Sequence, residues 1–190
     1  MTGNELDRGL YSPESEHDAC GVGLVGNING SKYHDIIEKG LTVLENMAHR
    51  GAEGADSKTG DGAGIMVQIP HEFILLNGIP VPEKGRYGVG MIFLPKDARD
   101  NARFTEIINE CVEANNLTVM HSRTVPVNSE ILGQAALAAE PEIRQVFITG
   151  CDDRKTLEDK LYLVRKAIER KVLDSSIKDK PACYVASLST

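Results

Sequence analysis

Four cysteines stand at 20, 111, 151 and 183, and Cys20 is the one placed to do chemistry. It lies where a polar lead, Met1 to Glu16, gives way to the apolar run Cys20-Gly-Val-Gly-Leu-Val-Gly-Asn-Ile28. A packing cysteine has no special reason to sit at that border, whereas Cys111 and Cys183 fall on apolar faces and read as core residues. If the lead is removed ahead of Cys20, the residue gains a free α-amine beside its thiol. An α-amine titrates at about 7.7–8.0, roughly two and a half units below a lysine, so part of it is neutral at working pH. It can act as general base for its own side chain, and the resulting thiolate is a strong nucleophile.

Other motifs carry less. Gly21-Val-Gly23-Leu-Val-Gly26 matches the dinucleotide fingerprint G-x-G-x-x-G, which needs a buried strand before it and a helix opening at the third glycine. Here the preceding residues are polar and the following Asn27-Ile-Asn-Gly30 makes a turn, so the glycines suit a strand that other backbone or substrate approaches closely. Gly60-Asp-Gly-Ala-Gly64 lacks the Gly-Lys-Ser/Thr end of a phosphate loop and reads as a tight turn feeding a strand at Ile65. His17 and Cys20 alone do not make a metal site, and no metal is expected.

Composition excludes whole classes. The net charge is −7, with 28 acidic against 21 basic residues, and Trp is absent. That balance repels phosphate backbones and offers no stacking platform, so nucleic-acid binding is not expected. No apolar run approaches a membrane span and no secretory signal opens the chain. Widely spaced cysteines give neither metal pairs nor a disulfide scaffold, which points to the reducing cytoplasm. At 190 residues and 41% hydrophobic, the chain suits one sizeable domain.

The elements that must position Cys20 follow from periodicity. A short strand around the glycines of 20–28 ends at the Asn29-Gly30 turn, and a helix runs from about Lys32 to Ala48. Its stripe is Ile36, Ile37, Leu41, Leu44 and Met47 or Ala48, with Gly40 admitting another backbone. His49 to Gly64 is a loop with five glycines. Then come a strand at Ile65–Pro70, a short buried turn at Phe73–Leu76 and a strand at Tyr87–Leu94. Next is a helix between about Asp97 and Asn115 with stripe Phe104, Ile107, Ile108, Cys111 and Val112, and then an extended run from Leu117 to Val127. A short helix at Ser129–Ala139 and a strand at Arg144–Thr149 follow. A helix marked by Leu157, Leu161, Leu163, Val164, Ile168 and Val172 leads to a last strand at Cys183–Leu188. The reading is α/β or α+β with a largely antiparallel sheet layer, not a regular βαβ array. Because that strand runs into Thr190 without a turn, the domain is expected to be truncated at its C-terminus.

Several motifs together resemble one family. Glu16-His-Asp-Ala-Cys-Gly-Val-Gly23, Met47-Ala-His-Arg-Gly51 and Lys58-Thr-Gly-Asp-Gly-Ala-Gly64 are similar to the N-terminal class-II glutamine amidotransferase domain of glutamate synthases. So are Arg86-Tyr-Gly-Val-Gly-Met91, Arg123-Thr-Val-Pro-Val127, Arg144-Gln-Val-Phe-Ile148 and Ala186-Ser-Leu-Ser189, in the right order over nearly the whole chain.

The resemblance implies an α+β N-terminal nucleophile hydrolase fold, a four-layer αββα sandwich. It implies that residues 1–19 are a propeptide and that 20–190 are the N-terminal part of the amidotransferase domain. Cys20 would release ammonia from L-glutamine through a glutamyl thioester. The ammonia would pass to 2-oxoglutarate in synthase domains carrying FMN and an iron–sulfur cluster, which are not in this chain. Electrons would come from a donor subunit or ferredoxin. Arg50 and Gly51, with Gly60, Asp61 and Gly62, match the family pattern and are expected to shape the nucleophile's surroundings. The family's substrate-binding arginine and aspartate and its Asn-Gly oxyanion hole follow the last strand of this chain, so the fragment alone is expected to be inactive. The alternative is a non-catalytic, amidotransferase-like subunit or interaction module.

Overall fold

The computed structural model describes residues 21–48, 58–60 and 62–190. Contacts divide the chain into two compact units, residues 1–66 and 67–190.

In the first unit, α1 spans His34–Asn46. Its half-buried stripe comprises Ile36, Ile37, Gly40, Val43, Leu44 and Met47, and no residue of the helix is fully buried. Leu41, expected in that stripe, is 46% exposed, because Gly40 and Val43 take the inward positions. No described atom lies within 4 Å of a Cβ built on Gly40, so the close backbone approach expected there is not found among the described residues. Residues 21–27 form no ladder in place of the expected strand. Alternation in burial is confined to its second half: Val25 and Asn27 are half-buried and Gly26 and Ile28 exposed, while Gly21 to Leu24 are all exposed. Asn27–Gly30 closes in a turn, with Gly30 N–H donating to Asn27 C=O at 3.0 Å and Gly30 at φ +68°.

The end of the first unit and the start of the second are irregular backbone where a strand at Ile65–Pro70 is expected. The apolar run there finds no sheet partner among the described residues, and Met66 is 92% exposed. The expected buried turn is a short helix, α2 (His71–Leu76), of which only Ile74 is buried. The remaining elements are β1 (Tyr87–Leu94), α3 (Ala98–Ala114), β2 (Thr118–Thr124), α4 (Gln134–Ala139), β3 (Glu142–Thr149), α5 (Arg154–Asp174) and β4 (Tyr184–Ser189). The short helix read over Ser129–Ala139 is split into a 3₁₀ turn at Ser129–Ile131 and α4.

The sheet order is β2-β3-β1-β4 with every pairing antiparallel. The β-α-β-β-α-β connectivity places β1 between β3 and β4, a split β-α-β arrangement. α3 and α5 pack on one face. Ile92, Leu94, Val146, Ile148, Val185 and Leu188 meet Phe104, Ile107, Ile108, Val112, Leu157, Leu161, Val164 and Ile168 there. Leu163, expected in the α5 stripe, is 55% exposed. Both helices start at aspartate caps: Asp97 accepts from Arg99 and Asp100 N–H, and Asp153 accepts from Thr156 N–H at 2.8 Å. The glycines of Arg86-Tyr-Gly-Val-Gly-Met91 lie on the helix-covered face. A Cβ on Gly88 would sit 2.3 Å from Leu161 Cδ1, and one on Gly90 would sit 2.8 Å from Val146 Cγ2. The opposite face carries a smaller cluster of Tyr87, Phe147, Ile74 and Ile79.

The structure is therefore α+β with an antiparallel sheet, as the sequence suggests.

Candidate functional site

Cys20, Arg50, Gly51 and Asp61 lie outside the described residues, as do His17 and the leader. What the structure does describe is the chain on either side of them. Gly21, bonded to Cys20, packs on the last turn of α1: a Cβ there would meet Met47 Sδ at 2.7 Å. A Cβ on Gly23 would meet Val43 Cγ1 at 2.3 Å. Two residues along an extended chain advance about 6.7 Å, and four along a helix advance about 6 Å. The i, i+2 glycines and the i, i+4 side chains are thus in step, and Val22 between the glycines is 90% exposed. Sequence reading passed over Val43. The signal was present in the matched spacing of Gly21/Gly23 and Val43/Met47, but glycines do not reveal which neighbour presses on them.

The same geometry bears on the dinucleotide fingerprint. The helix after it starts only at His34, beyond the turn, and a Cβ on Gly26 would meet nothing within 4 Å. No helix N-terminus opens at the third glycine, which is what pyrophosphate binding requires.

Gly62 and Gly64 have no described atom within 4 Å of a built Cβ, and neither has a positive φ. Among the described residues, neither glycine is therefore required by crowding or by left-handed backbone.

The other three cysteines are free thiols. Cys111 is 1% exposed, and burial holds its pKa above the ordinary thiol value. Cys183 is half-buried against the core. Burial, reinforced by Asp100 and Asp179, pushes its pKa up to about 11. The thiolate is the reactive form, so both are poor nucleophiles near neutrality. Cys151 lies at the start of α5 with Sγ 3.5 Å from Asp153 C=O.

A hollow of about 460 Å³ lies between α3 and the β2–β3 edge, lined by Thr105, Ile108, Asn109, Val119, Ser122 and Arg144 among others. A register shift between Val119 and His121 changes the alternation of β2 beside it. Its cation is already engaged: Arg144 donates to Glu142, Thr105 and Asn101. None of the candidate residues lines it. Among the described residues no three His, Cys, Asp or Glu side chains converge on a metal position. No described helix is long and apolar enough to cross a membrane.

Comparison with known proteins places these features. The family model for class-II glutamine amidotransferases matches residues 20–190, beginning at Cys20. The NADPH glutamate synthase large chain of Bacillus subtilis (strain 168) is 44% identical over 176 residues, covering 89% of this chain and 12% of its own length. The NADH glutamate synthase of Saccharomyces cerevisiae is 42% identical over 175 residues, covering 84% of this chain and 8% of its own length. Ferredoxin-dependent glutamate synthase 2 of Synechocystis is 40% identical over 168 residues, again 84% of this chain and 11% of its own length. The chain therefore spans only about a tenth of the length of these relatives.

Proposed function

The chain belongs to the class-II glutamine amidotransferases, as the counterpart of the amidotransferase part of glutamate synthases, and from this we infer that it is a glutaminase whose nucleophile is Cys20. The observation that carries the reading is the family match over 20–190, which starts at the cysteine singled out by residue type and position. Removal of residues 1–19 frees the Cys20 α-amine, which takes the thiol proton. The thiolate adds to the side-chain amide carbon of L-glutamine. The tetrahedral intermediate collapses with return of that proton to nitrogen, releasing ammonia and leaving a glutamyl thioester. Water, deprotonated by the same amine, then cleaves the thioester to glutamate and regenerates the thiol. On the family pattern, Arg50, Gly51, Gly60, Asp61 and Gly62 are assigned to shaping the nucleophile's surroundings. In the family pattern the oxyanion and carboxylate-binding groups fall after the segment matched by β4.

In a complete glutamate synthase the ammonia passes to 2-oxoglutarate in domains that use FMN and an iron–sulfur cluster, with NAD(P)H or ferredoxin as electron source. The described residues offer no converging set of three ligands for such a cluster, so no step here runs through it. This reading carries with it a four-layer αββα sandwich, in which the sheet described above is one β layer. The setting is the cytoplasm, where free thiols such as Cys111, Cys151 and Cys183 persist.

The test is the intact mass and N-terminal sequence of the full-length protein, followed by reaction with a diazoketone analogue of glutamine. Expected is a chain about 2 kDa lighter that starts at Cys20, carries one adduct on that residue, and loses the adduct in Cys20→Ala. A full-length chain that keeps its leader and takes no adduct would favour the non-catalytic, interaction-module reading.

A further inference from the structure

Resting on the Cys20 reading, we propose that Val43 of α1 and Met47, the residue capping its C-terminus, are positioning residues for the nucleophile, acting through Gly23 and Gly21. Once residues 1–19 are removed, Cys20 carries both the nucleophile and its base and is tethered by a single peptide bond, to Gly21. Chain termini fray unless something ties them down. Whatever holds the backbone at 21–23 therefore sets where the thiol and the amine can be.

The contacts at Gly21 and Gly23 are closer than any side chain permits. A Cβ on Gly23 would lie 2.3 Å from Val43 Cγ1 and 3.6 Å from Val43 Cβ. Valine in a helix has essentially one χ1 rotamer and cannot swing aside. The Met47 contact, 2.7 Å to Sδ, is softer because that side chain can move. Val43 thus sets the separation of segment and helix, and Met47 fills the space next to Cys20's neighbour. Gly26, with nothing within 4 Å, is the internal control, a glycine of the same run outside the contact.

The test uses the full-length protein and follows covalent capture of Cys20 by the diazoketone analogue. Rates are expressed per chain that begins at Cys20, as a function of analogue concentration and pH. Gly23→Ala is expected to lower the maximal capture rate about 10-fold or more, since a displacement near 1 Å can cost about 100-fold. Half-saturation should stay within about 2-fold, because the glutamine-binding groups lie elsewhere. Adding Val43→Ala removes the clash and should restore the rate to within about 3-fold. Gly26→Ala should react as wild type. Met47→Ala should slow capture about 3–10-fold and Met47→Leu should not, as the two side chains are close in volume. A Gly23→Ala protein that reacts at the wild-type rate, or a double variant no faster than Gly23→Ala, would overturn the positioning role alone. Wild-type chains that begin at Cys20 yet take no adduct would overturn the nucleophile reading, and this inference with it.

Discussion

Cys183 illustrates how a single side chain's surroundings decide its chemistry. Burial first, then the nearby Asp100 and Asp179 carboxylates, push its thiol from an ordinary value of 9.0 up to about 11. Asp100 is itself buried and accepts from the Lys178 and Asp179 N–H groups at 3.0 and 3.2 Å, so it is fixed beside the thiol. Between pH 9 and 11 the unfolded chain has released this proton while the folded chain keeps it, so the thiol's contribution to stability is complete below about pH 9 and is lost as pH rises toward 11. In urea unfolding, the stability advantage of wild type over Cys183→Ala should therefore shrink steadily across that window. A gap that stays constant from pH 8 to 11 would show the thiol to be unperturbed.

At the scale of elements, the sheet and its two long helices depend on glycines being small where helix meets strand. Gly88→Ala drives a methyl to within 2.3 Å of Leu161 and 3.2 Å of the Ser189 carbonyl, inside a layer with no slack. It should cost about 1–3 kcal/mol, whereas Gly64→Ala, with open space around it, should stay within about 0.5 kcal/mol. Chemical denaturation of both variants decides the point. The elements that carried this information in sequence are those with long, uninterrupted periods. β1 was legible to the residue, and the stripe Phe104–Ile107–Ile108–Cys111–Val112 names every buried apolar residue of α3, missing only the buried Asp100. Short apolar runs misled, because hydrophobicity alone does not supply a partner. Ile65–Pro70 has strand-like residues but no ladder, and Phe73, Leu75 and Leu76 read as buried yet are 55%, 46% and 87% exposed. For the candidate site, the proposal of Cys20 rests on its type and position and on the family motifs, and Cys20 itself lies outside the described residues. The seating of its segment on Val43 and Met47 needed coordinates, since a glycine pair looks the same in sequence whether it is crowded or free.

For the molecule as a whole, buried apolar surface is distributed unevenly. Every fully buried hydrophobic side chain among the described residues, from Ile74 to Leu188, belongs to the unit 67–190. The described part of 1–66 contributes only half-buried positions, and leaves Val22, Leu24 and Ile28 at 90%, 96% and 103% exposure. Burial of apolar area is the dominant stabilising term, at about 25 cal/mol per Å², so the two units should differ sharply in resistance to local opening. Limited proteolysis of the 190-residue chain should cut within 1–66 well before it cuts within 67–190. The surviving core should keep the β1–β3–β4 amides protected from hydrogen exchange, since β1 is bonded on both sides. In a longer polypeptide the order of cutting tests what the extra chain does. If 21–66 becomes as resistant as 67–190, the exposed apolar residues around the nucleophile's segment are covered by that chain, and the site is completed by the same burial. If 1–66 is still cut first, the segment bearing Cys20 is held chiefly by its contacts with α1, and the Val43 and Met47 variants should then have their largest effects.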